Sequence, residues 1–196
     1  MKTYPFIMGI ALVLLLAGVG NSAESKTRPY KCTGSGTFAD GVETNIDTNS
    51  DGLSAGLDQG LQNCNIGRSF FQEEVEYAGP ITPHTTCPQG TDEYHLVQGR
   101  AVYIDRQTSD QLFGTHDTIT LCLNPDGTFS NTGHITITGG TGHFTGASGA
   151  TDFRATGKYL AFGFKKNVFG GFGQFSFTST GTLTLPKGGH GKDKED

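Results

Sequence analysis

Apolar and polar residues alternate with a period of two in several stretches of this chain. In residues 71–77, Phe71, Val75 and Tyr77 share one face, and polar side chains occupy most of the other positions. Such alternation is typical of antiparallel strands that bury one face and expose the other to water. The same rhythm recurs in three further stretches, residues 116–123, 134–138 and 181–185.

Glycine and turn residues separate these stretches, and no helix is predicted. The chain contains 30 glycines, which disfavour helix, and no window has the three-and-four spacing of an amphipathic helix. Asp51-Gly52 and Asn124-Pro125-Asp126-Gly127 are strong turn signals. Strands in this arrangement predict an all-β closed barrel, with a β-sandwich as the alternative. The strands are expected at residues 31–38, 68–78, 94–105, 111–123, 129–138, 142–157, 158–165 and 173–185.

The first 23 residues have the pattern of a cleavable signal peptide. Lys2 precedes an apolar run from Phe6 to Val19, and Ala23 ends a group of small residues suited to signal peptidase. The run is shorter than the roughly 18–20 residues that span a bilayer as a helix. We therefore expect an exported protein, periplasmic or extracellular, without a membrane span after processing. The expected organisation is a signal peptide in 1–23, a barrel domain in 24–186 and a disordered charged tail in 187–196.

Four cysteines fall within the expected barrel domain. An even number in an exported chain favours two disulfides, for which three pairings exist. We favour the sequential pairing, in which Cys32 joins Cys64 and Cys87 joins Cys122. Zinc is the alternative, but no two cysteines have the close spacing of a zinc site. The net charge of -5 argues against a nucleic-acid partner, since nucleic-acid-binding proteins carry basic surfaces.

Phenylalanine and glycine are interleaved near the end of the chain. Residues 153–177 contain half of all the phenylalanines. A ring that lies opposite a glycine fills the interior of a tightly curved sheet, because the missing Cβ leaves room for it. The alternative is that the rings line a cavity for a ligand.

A glycine-rich string occupies residues 138–149. Gly139 and Gly140 predict a tight hairpin turn, and Phe144 is expected to plug the core of the following strand. A phosphate-binding loop is not predicted, because the string lacks the GxGxxG spacing and a following helix.

This string resembles the GGTGxFxxAxG motif of the allene oxide cyclase-like barrels, a superfamily that includes the dirigent proteins. The resemblance implies an eight-stranded antiparallel barrel with a central cavity. Its members isomerise or cyclise reactive small molecules, or steer the coupling of bound radicals. The residues that match the motif are Gly139, Gly140, Thr141, Gly142, Phe144, Ala147 and Gly149.

Glu73 is a carboxylate on the apolar face of the strand predicted over 68–78. A carboxylate that points into a barrel is desolvated and is suited to general acid–base work on a bound small molecule. The alternative is that Glu73 lies at the barrel mouth or pairs with Arg100 or Arg106.

A second candidate site begins at Asp47. Asp47, Asn49 and Asp51 place oxygen ligands at alternate positions before a glycine, and Asp58 follows where a calcium loop closes. No helix flanks the segment, so an Asx-rich turn is the alternative. Apart from this calcium ion, no cofactor is expected.

The sequence favours an exported barrel that binds a small apolar or aromatic molecule in its cavity. Two alternatives stay open. One is an isomerase or cyclase of the allene oxide cyclase-like type that uses Glu73 as its acid and base. The other is a structural or interaction protein of the cell envelope, whose barrel would be packed solid. The residues expected to line a ligand cavity are Phe71, Glu73, Tyr77, Arg100 and Tyr103.

Overall fold

The computed structural model describes residues 25–43, 48, 53, 55–165 and 168–186 of the chain. Within them, eight antiparallel strands follow one another around a closed barrel, and β8 pairs with β1 to complete the ring. No helix among these residues has the length and hydropathy needed to cross a membrane. The strands are β1 (Ser25–Glu43), β2 (Ala55–Cys64), β3 (Gly67–Ala78), β4 (Asp92–Asp105), β5 (Gln111–Leu123), β6 (Thr128–Gly140), β7 (Ser148–Lys165) and β8 (Val168–Pro186).

Consecutive antiparallel strands give the barrel two distinct ends. The connections 65–66, 106–110 and 141–147 lie at one end, which we call the short-turn end. The connections 79–91 and 124–127 lie at the other, which we call the long-loop end. This arrangement confirms the prediction of an all-β closed antiparallel barrel and excludes the sandwich.

Strand β2 is absent from the sequence-based prediction because its side-chain pattern is reversed. Its inward positions carry glycines together with Asp58 and Gln62, whereas Leu61 points outward and is 46% exposed. A polar face that lines a barrel interior resembles a solvated face in sequence.

Several strand boundaries also differ from the prediction. Strand β1 extends beyond the predicted 31–38 at both ends, and β8 begins five residues before the predicted 173. The stretches expected as separate strands at 142–157 and 158–165 form one long strand, β7, which begins only at Ser148. The preceding Gly142–Phe144 segment is a short 3₁₀ turn. Phe144 is buried in the core, as expected, but it belongs to this turn and not to the following strand.

Two disulfides connect the cysteines in the predicted sequential pairing. The bond between Cys32 and Cys64 joins directly opposite residues of β1 and β2. The bond between Cys87 and Cys122 attaches the 79–91 connection to β5.

Aromatic rings fill the barrel where glycines leave space. A Cβ at Gly60 would lie 2.7 Å from Cζ of Phe71, and a Cβ at Gly133 would lie 2.6 Å from Cε1 of Phe153. Both distances are shorter than side chains tolerate, so these positions need glycine. The predicted pairing of rings with glycines is therefore confirmed.

Buried apolar side chains form one cluster near each end of the barrel. The cluster at the short-turn end includes Tyr30, Leu112, Phe144 and Leu183. The cluster at the long-loop end includes Phe38, Tyr94, Leu123, Phe129 and Tyr159. The middle of the barrel lies between the two clusters and is less completely filled.

Candidate functional site

An interior cavity occupies the middle of the barrel. Its volume is about 60 Å³, which is several times the volume that one water needs by the same measure. The cavity therefore has room for a few waters, and it is smaller than the engineered cavity of about 150 Å³ that binds benzene. The aromatic side chains that line it are Tyr30, Phe38, Phe71, Tyr77, Tyr103, Phe129, Phe153, Tyr159, Phe175 and Phe177.

Three carboxyl groups face this cavity from three adjacent strands. Asp40 comes from β1, Asp58 from β2 and Glu73 from β3. Asp58 and Glu73 are directly opposite each other in the ladder between β2 and β3. An antiparallel pair places such side chains on the same face of the sheet, so the acidic groups are close neighbours.

Asp40 accepts a hydrogen bond from the hydroxyl of Tyr159. Burial raises the pKa of Asp40 to about 6, and the Tyr159 hydrogen bond opposes that rise because it stabilises the carboxylate. Burial and the nearby Asp40 charge also raise the pKa of Tyr159, which therefore stays a neutral donor. Asp40 is thus a carboxyl that can hold or release a proton near neutral pH.

Asp58, unlike Asp40 and Glu73, receives no hydrogen bond from a described residue at its carboxylate. Burial raises its pKa well above the ordinary value, and the charges of Glu73 and Asp40 raise it further. No described group offsets these effects by donating a hydrogen bond to the Asp58 carboxylate. An ionised Asp58 therefore lacks a partner within the described protein.

Glu73 lies between a tyrosine and a histidine. The hydroxyl of Tyr103 donates a hydrogen bond of 3.1 Å to Oε1 of Glu73. Nε2 of His116 lies 3.4 Å from Oε2, and the His116 side chain is only 1% exposed. Neither ring nitrogen of His116 has a hydrogen-bond partner among the described residues. Burial and the Glu73 charge raise the pKa of Tyr103 well above its usual range.

Asn131, on β6, is a polar residue that lines the cavity across from β1, β2 and β3. Its Nδ2 donates a hydrogen bond of 3.1 Å to the Tyr77 hydroxyl. Its Oδ1 is buried and has no hydrogen-bond partner among the described residues. Burial, together with the charges of Asp58 and Asp40, raises the pKa of Tyr77 well above its usual range. The cavity thus contains acceptor atoms that the described protein leaves unmatched.

Four of the five residues expected to line a cavity do line it. Phe71, Glu73, Tyr77 and Tyr103 face the interior. Arg100 does not, so this part of the prediction is wrong. Its neighbours in β4, Gly99 and Ala101, face inward, and the strand alternation therefore turns Arg100 outward.

The alternative in which Glu73 pairs with Arg100 or Arg106 is not found among the described residues. The Arg100 guanidinium is 2.8 Å from Oε2 of Glu74, and its side chain is 70% exposed. The Arg106 guanidinium lies over the Phe70 ring at 5.2 Å. Glu73 interacts with Tyr103 and His116 instead.

The calcium prediction rests mainly on residues that the structure does not describe. Asp47, Asn49 and Asp51 lie outside the described residues. Asp58 lines the barrel cavity. The described residues contain no group of three or more potential metal ligands, and calcium binding by the 47–58 segment stays a prediction.

Sequence reasoning missed Asp40, Asn131 and Tyr159 of the cavity and His116 beside Glu73, and it gave Asp58 a different role. A usable signal exists for Asp40 and Asp58. Phe38 and Asp40 are two residues apart in β1, and Asp58, Gly60 and Gln62 repeat the same spacing in β2. These residues can be assigned to the inward face only if it is known that a neighbouring strand supplies a ring, such as that of Phe71, to fill the space beside Gly60.

A separate groove lies on the outer surface of the barrel and is open to solvent. It has a volume of about 900 Å³ and includes Leu61, Phe70 and Ile104. Its polar lining consists mainly of uncharged side chains from β1, β2, β7 and β8, with Lys158 as its basic residue. It lacks the carboxyl cluster that distinguishes the interior cavity.

Comparisons with known proteins give little beyond this geometry. No family model and no curated protein sequence matches the chain. Among solved structures, the pterocarpan synthase dirigent protein GePTS1 matches 86% of this chain and 90% of its own, with 13% sequence identity and a TM-score of 0.24. A TM-score this low carries no argument, so the fold assignment rests on the observed strand pairing.

Proposed function

We propose that this barrel binds a small apolar or aromatic molecule, no larger than one ring, in its interior cavity, and that lining side chains shift to admit it. The observation that carries the proposal is the combination of ring-lined free space with polar atoms that lack partners. Apolar walls with a few convergent polar groups are typical of small-molecule sites. Buried unpaired polar atoms are rare in folded proteins, and a bound ligand is one way to satisfy them.

The cavity also bears on the alternative of a purely structural envelope protein. That alternative predicts a barrel filled completely by side chains. Here side chains fill both ends of the barrel, but a cavity of about 60 Å³ remains in the middle. A protein selected only for stability would be expected to fill this space, because each buried void costs free energy.

A cavity-filling variant tests the proposal. Ala155 is buried and lines the cavity, whereas the next residue of β7, Thr156, points outward. Binding of toluene, benzyl alcohol and benzylamine to the whole protein would be measured by NMR titration. We expect at least one probe to bind the wild type and the control Thr156→Leu, but to bind Ala155→Leu about ten-fold more weakly or not at all.

Two results would contradict the binding proposal. One is that none of the probes binds the wild type. The other is that Ala155→Leu and Thr156→Leu bind equally well, since binding would then lie outside the cavity. Because an added side chain can strain a core by about 1–3 kcal/mol, Ser179→Val serves as a second cavity-filling variant. Thermal unfolding verifies that each variant is folded.

An isomerase or cyclase is the second candidate function. The observation that favours it is the position of Glu73, whose carboxyl contacts the Tyr103 hydroxyl and lies 3.4 Å from His116. A carboxylate between a phenol and an imidazole can accept a proton from a bound molecule and return it. For any bound compound that the wild type converts, Glu73→Gln should still bind it without turnover. Conversion by that variant would remove Glu73 from the mechanism.

A further inference from the structure

The cavity has an excess of acidic groups and almost no basic ones. Asp40, Asp58 and Glu73 all line it, and no lysine or arginine among the described residues does so. The basic side chain of His116 faces Glu73 and is not part of the cavity lining. Asp40 and Asp58 are therefore left without a cation from the described protein.

We propose that the molecule bound in this cavity is a small organic cation, an ammonium group attached to one aromatic ring. This inference rests on the proposed function and specifies its ligand class. The ammonium would lie beside Asp40 and Asp58, and the ring would pack among the phenylalanines of the barrel.

Hydrogen-bonding chemistry favours an ammonium ligand over a neutral one. An ammonium donates three hydrogen bonds and accepts none. Two acceptor groups that line the cavity lack partners among the described residues, the Asp58 carboxylate and Oδ1 of Asn131. The unpartnered ring nitrogens of His116 lie beside Glu73 and outside the cavity lining. A ligand that is itself rich in acceptors would leave both acceptor groups unmatched.

The aromatic walls favour a cation as well. A cation over the face of a Phe or Tyr ring is attracted by the negative potential of that face, and the attraction grows when water is excluded. Phe38, Tyr77 and Tyr159 line the same cavity as Asp40 and Asp58. Tyr159 also donates its hydroxyl proton to Asp40, which keeps that carboxyl oriented.

His116 does not replace the proposed cation. If protonated, its imidazolium would neutralise Glu73, which is 3.4 Å away. His116 is not among the residues that line the cavity beside Asp40 and Asp58. One positive charge beside Glu73 still leaves two carboxyls in an interior where an unpaired charge is costly.

Three probes of similar size and different charge separate this inference from the binding proposal itself. Benzylamine, benzyl alcohol and benzoate would be titrated into the whole barrel at about pH 7.5, where the amine is a cation and benzoate an anion. We expect benzylamine to bind about ten-fold or more tightly than benzyl alcohol, and benzoate to bind the weakest. If benzyl alcohol binds as tightly as benzylamine or more tightly, the cation inference is wrong and cavity binding stands. If no probe binds, both are wrong.

Removing one carboxylate tests the source of the preference. We expect Asp58→Asn to reduce the preference for benzylamine over benzyl alcohol by about ten-fold, with little change for benzyl alcohol. Asp152→Asn is the matched control, because Asp152 is 80% exposed on the outer face. Asp40→Asn is the second variant, in case Asp58→Asn does not fold. An unchanged preference in the folded variants would overturn the inference.

Discussion

Asp58 on β2 and Glu73 on β3 are directly opposite residues of one antiparallel ladder, and both carboxyls face the same cavity. Burial imposes a desolvation cost on these carboxylates, and the like charge in the opposite position adds repulsion. The pKa of Asp58 is accordingly raised well above its usual range. The barrel thus keeps an electrostatically unfavourable pair in its interior, which is more typical of a functional site than of a structural core.

The free energy of unfolding of Asp40→Asn, relative to that of the wild type, should increase as the pH rises from about 4 to 7. The pKa of Asp40 is raised from 3.8 to about 6 by burial, so between these values the folded state keeps a proton that the unfolded state has lost. The stability contributed by this carboxyl is present below about pH 4 and is lost as the pH rises through about 6. The pKa difference corresponds to a change on the order of 3 kcal/mol.

Urea unfolding of the wild type and Asp40→Asn across this pH range measures the effect. Asp152→Asn provides the reference for removing one exposed carboxylate. A free-energy difference between Asp40→Asn and the wild type that stays constant or shrinks as the pH rises would show that the Asp40 pKa is not raised by folding.

Tyr159→Phe should raise the pKa of Asp40 above about 6. The Tyr159 hydroxyl donates a hydrogen bond to Asp40 and lowers its pKa, against the larger effect of burial. Without that donor, the carboxylate is less stabilised and holds its proton to higher pH. Carboxyl ¹³C NMR titration measures the shift. Tyr103→Phe is the control, since its hydroxyl contacts Glu73 instead; an equal change in both variants would contradict the assignment.

Glu93→Gln should loosen the 79–91 connection. The Glu93 carboxylate accepts hydrogen bonds from the backbone amides of Thr85, Thr86 and Cys87, at 3.0, 3.0 and 2.9 Å. These bonds lower the pKa of Glu93 and hold the connection against β4. An amide side chain is uncharged and forms weaker bonds with these donors.

Hydrogen exchange of those three amides measures the effect of Glu93→Gln, and we expect it to be faster than in the wild type. The melting temperature should also fall by more than in Glu74→Gln, whose carboxylate pairs with the exposed Arg100. Unchanged exchange at all three amides would mean that the disulfide at Cys87 alone holds the connection.

Gly157→Ala should destabilise the barrel by about 1–3 kcal/mol. A Cβ at this position would overlap the Phe129 ring and would lie 2.5 Å from the Gln174 carbonyl oxygen. Gly163→Ala, on the same strand, meets nothing within 4 Å and should change stability by less than about 0.5 kcal/mol. Urea unfolding compares the two variants. Equal effects would contradict the view that glycine is needed at 157 to admit a ring.

Strands with an apolar inner face could be predicted from the sequence, and β3 and β5 agree closely with their predicted ranges. Strand β2 could not, because its inner face is made of glycine, Asp58 and Gln62. A strand of this kind is recognisable only beside its neighbours, since Phe71 of β3 supplies the bulk that β2 lacks.

The candidate site was predicted in part for the same reason. Phe71, Glu73 and Tyr77 lie on one alternating strand, so their shared inward face was readable from the sequence. Arg100 was misplaced because its strand, β4, mixes small and polar residues and gives no clear inner face. Asp40 and Tyr159 meet through a pairing of β1, β8 and β7, which sequence spacing does not reveal.

The location of a bound ring tests the central claim most directly. Nuclear Overhauser effects between the ring protons of benzylamine and the methyl groups of the wild-type protein would be recorded. The account predicts contacts to Val75, Ile119 and Ile135, which line the interior cavity. Contacts to Leu61 and Ile104, which line the outer groove, with none to the interior methyl groups, would contradict it.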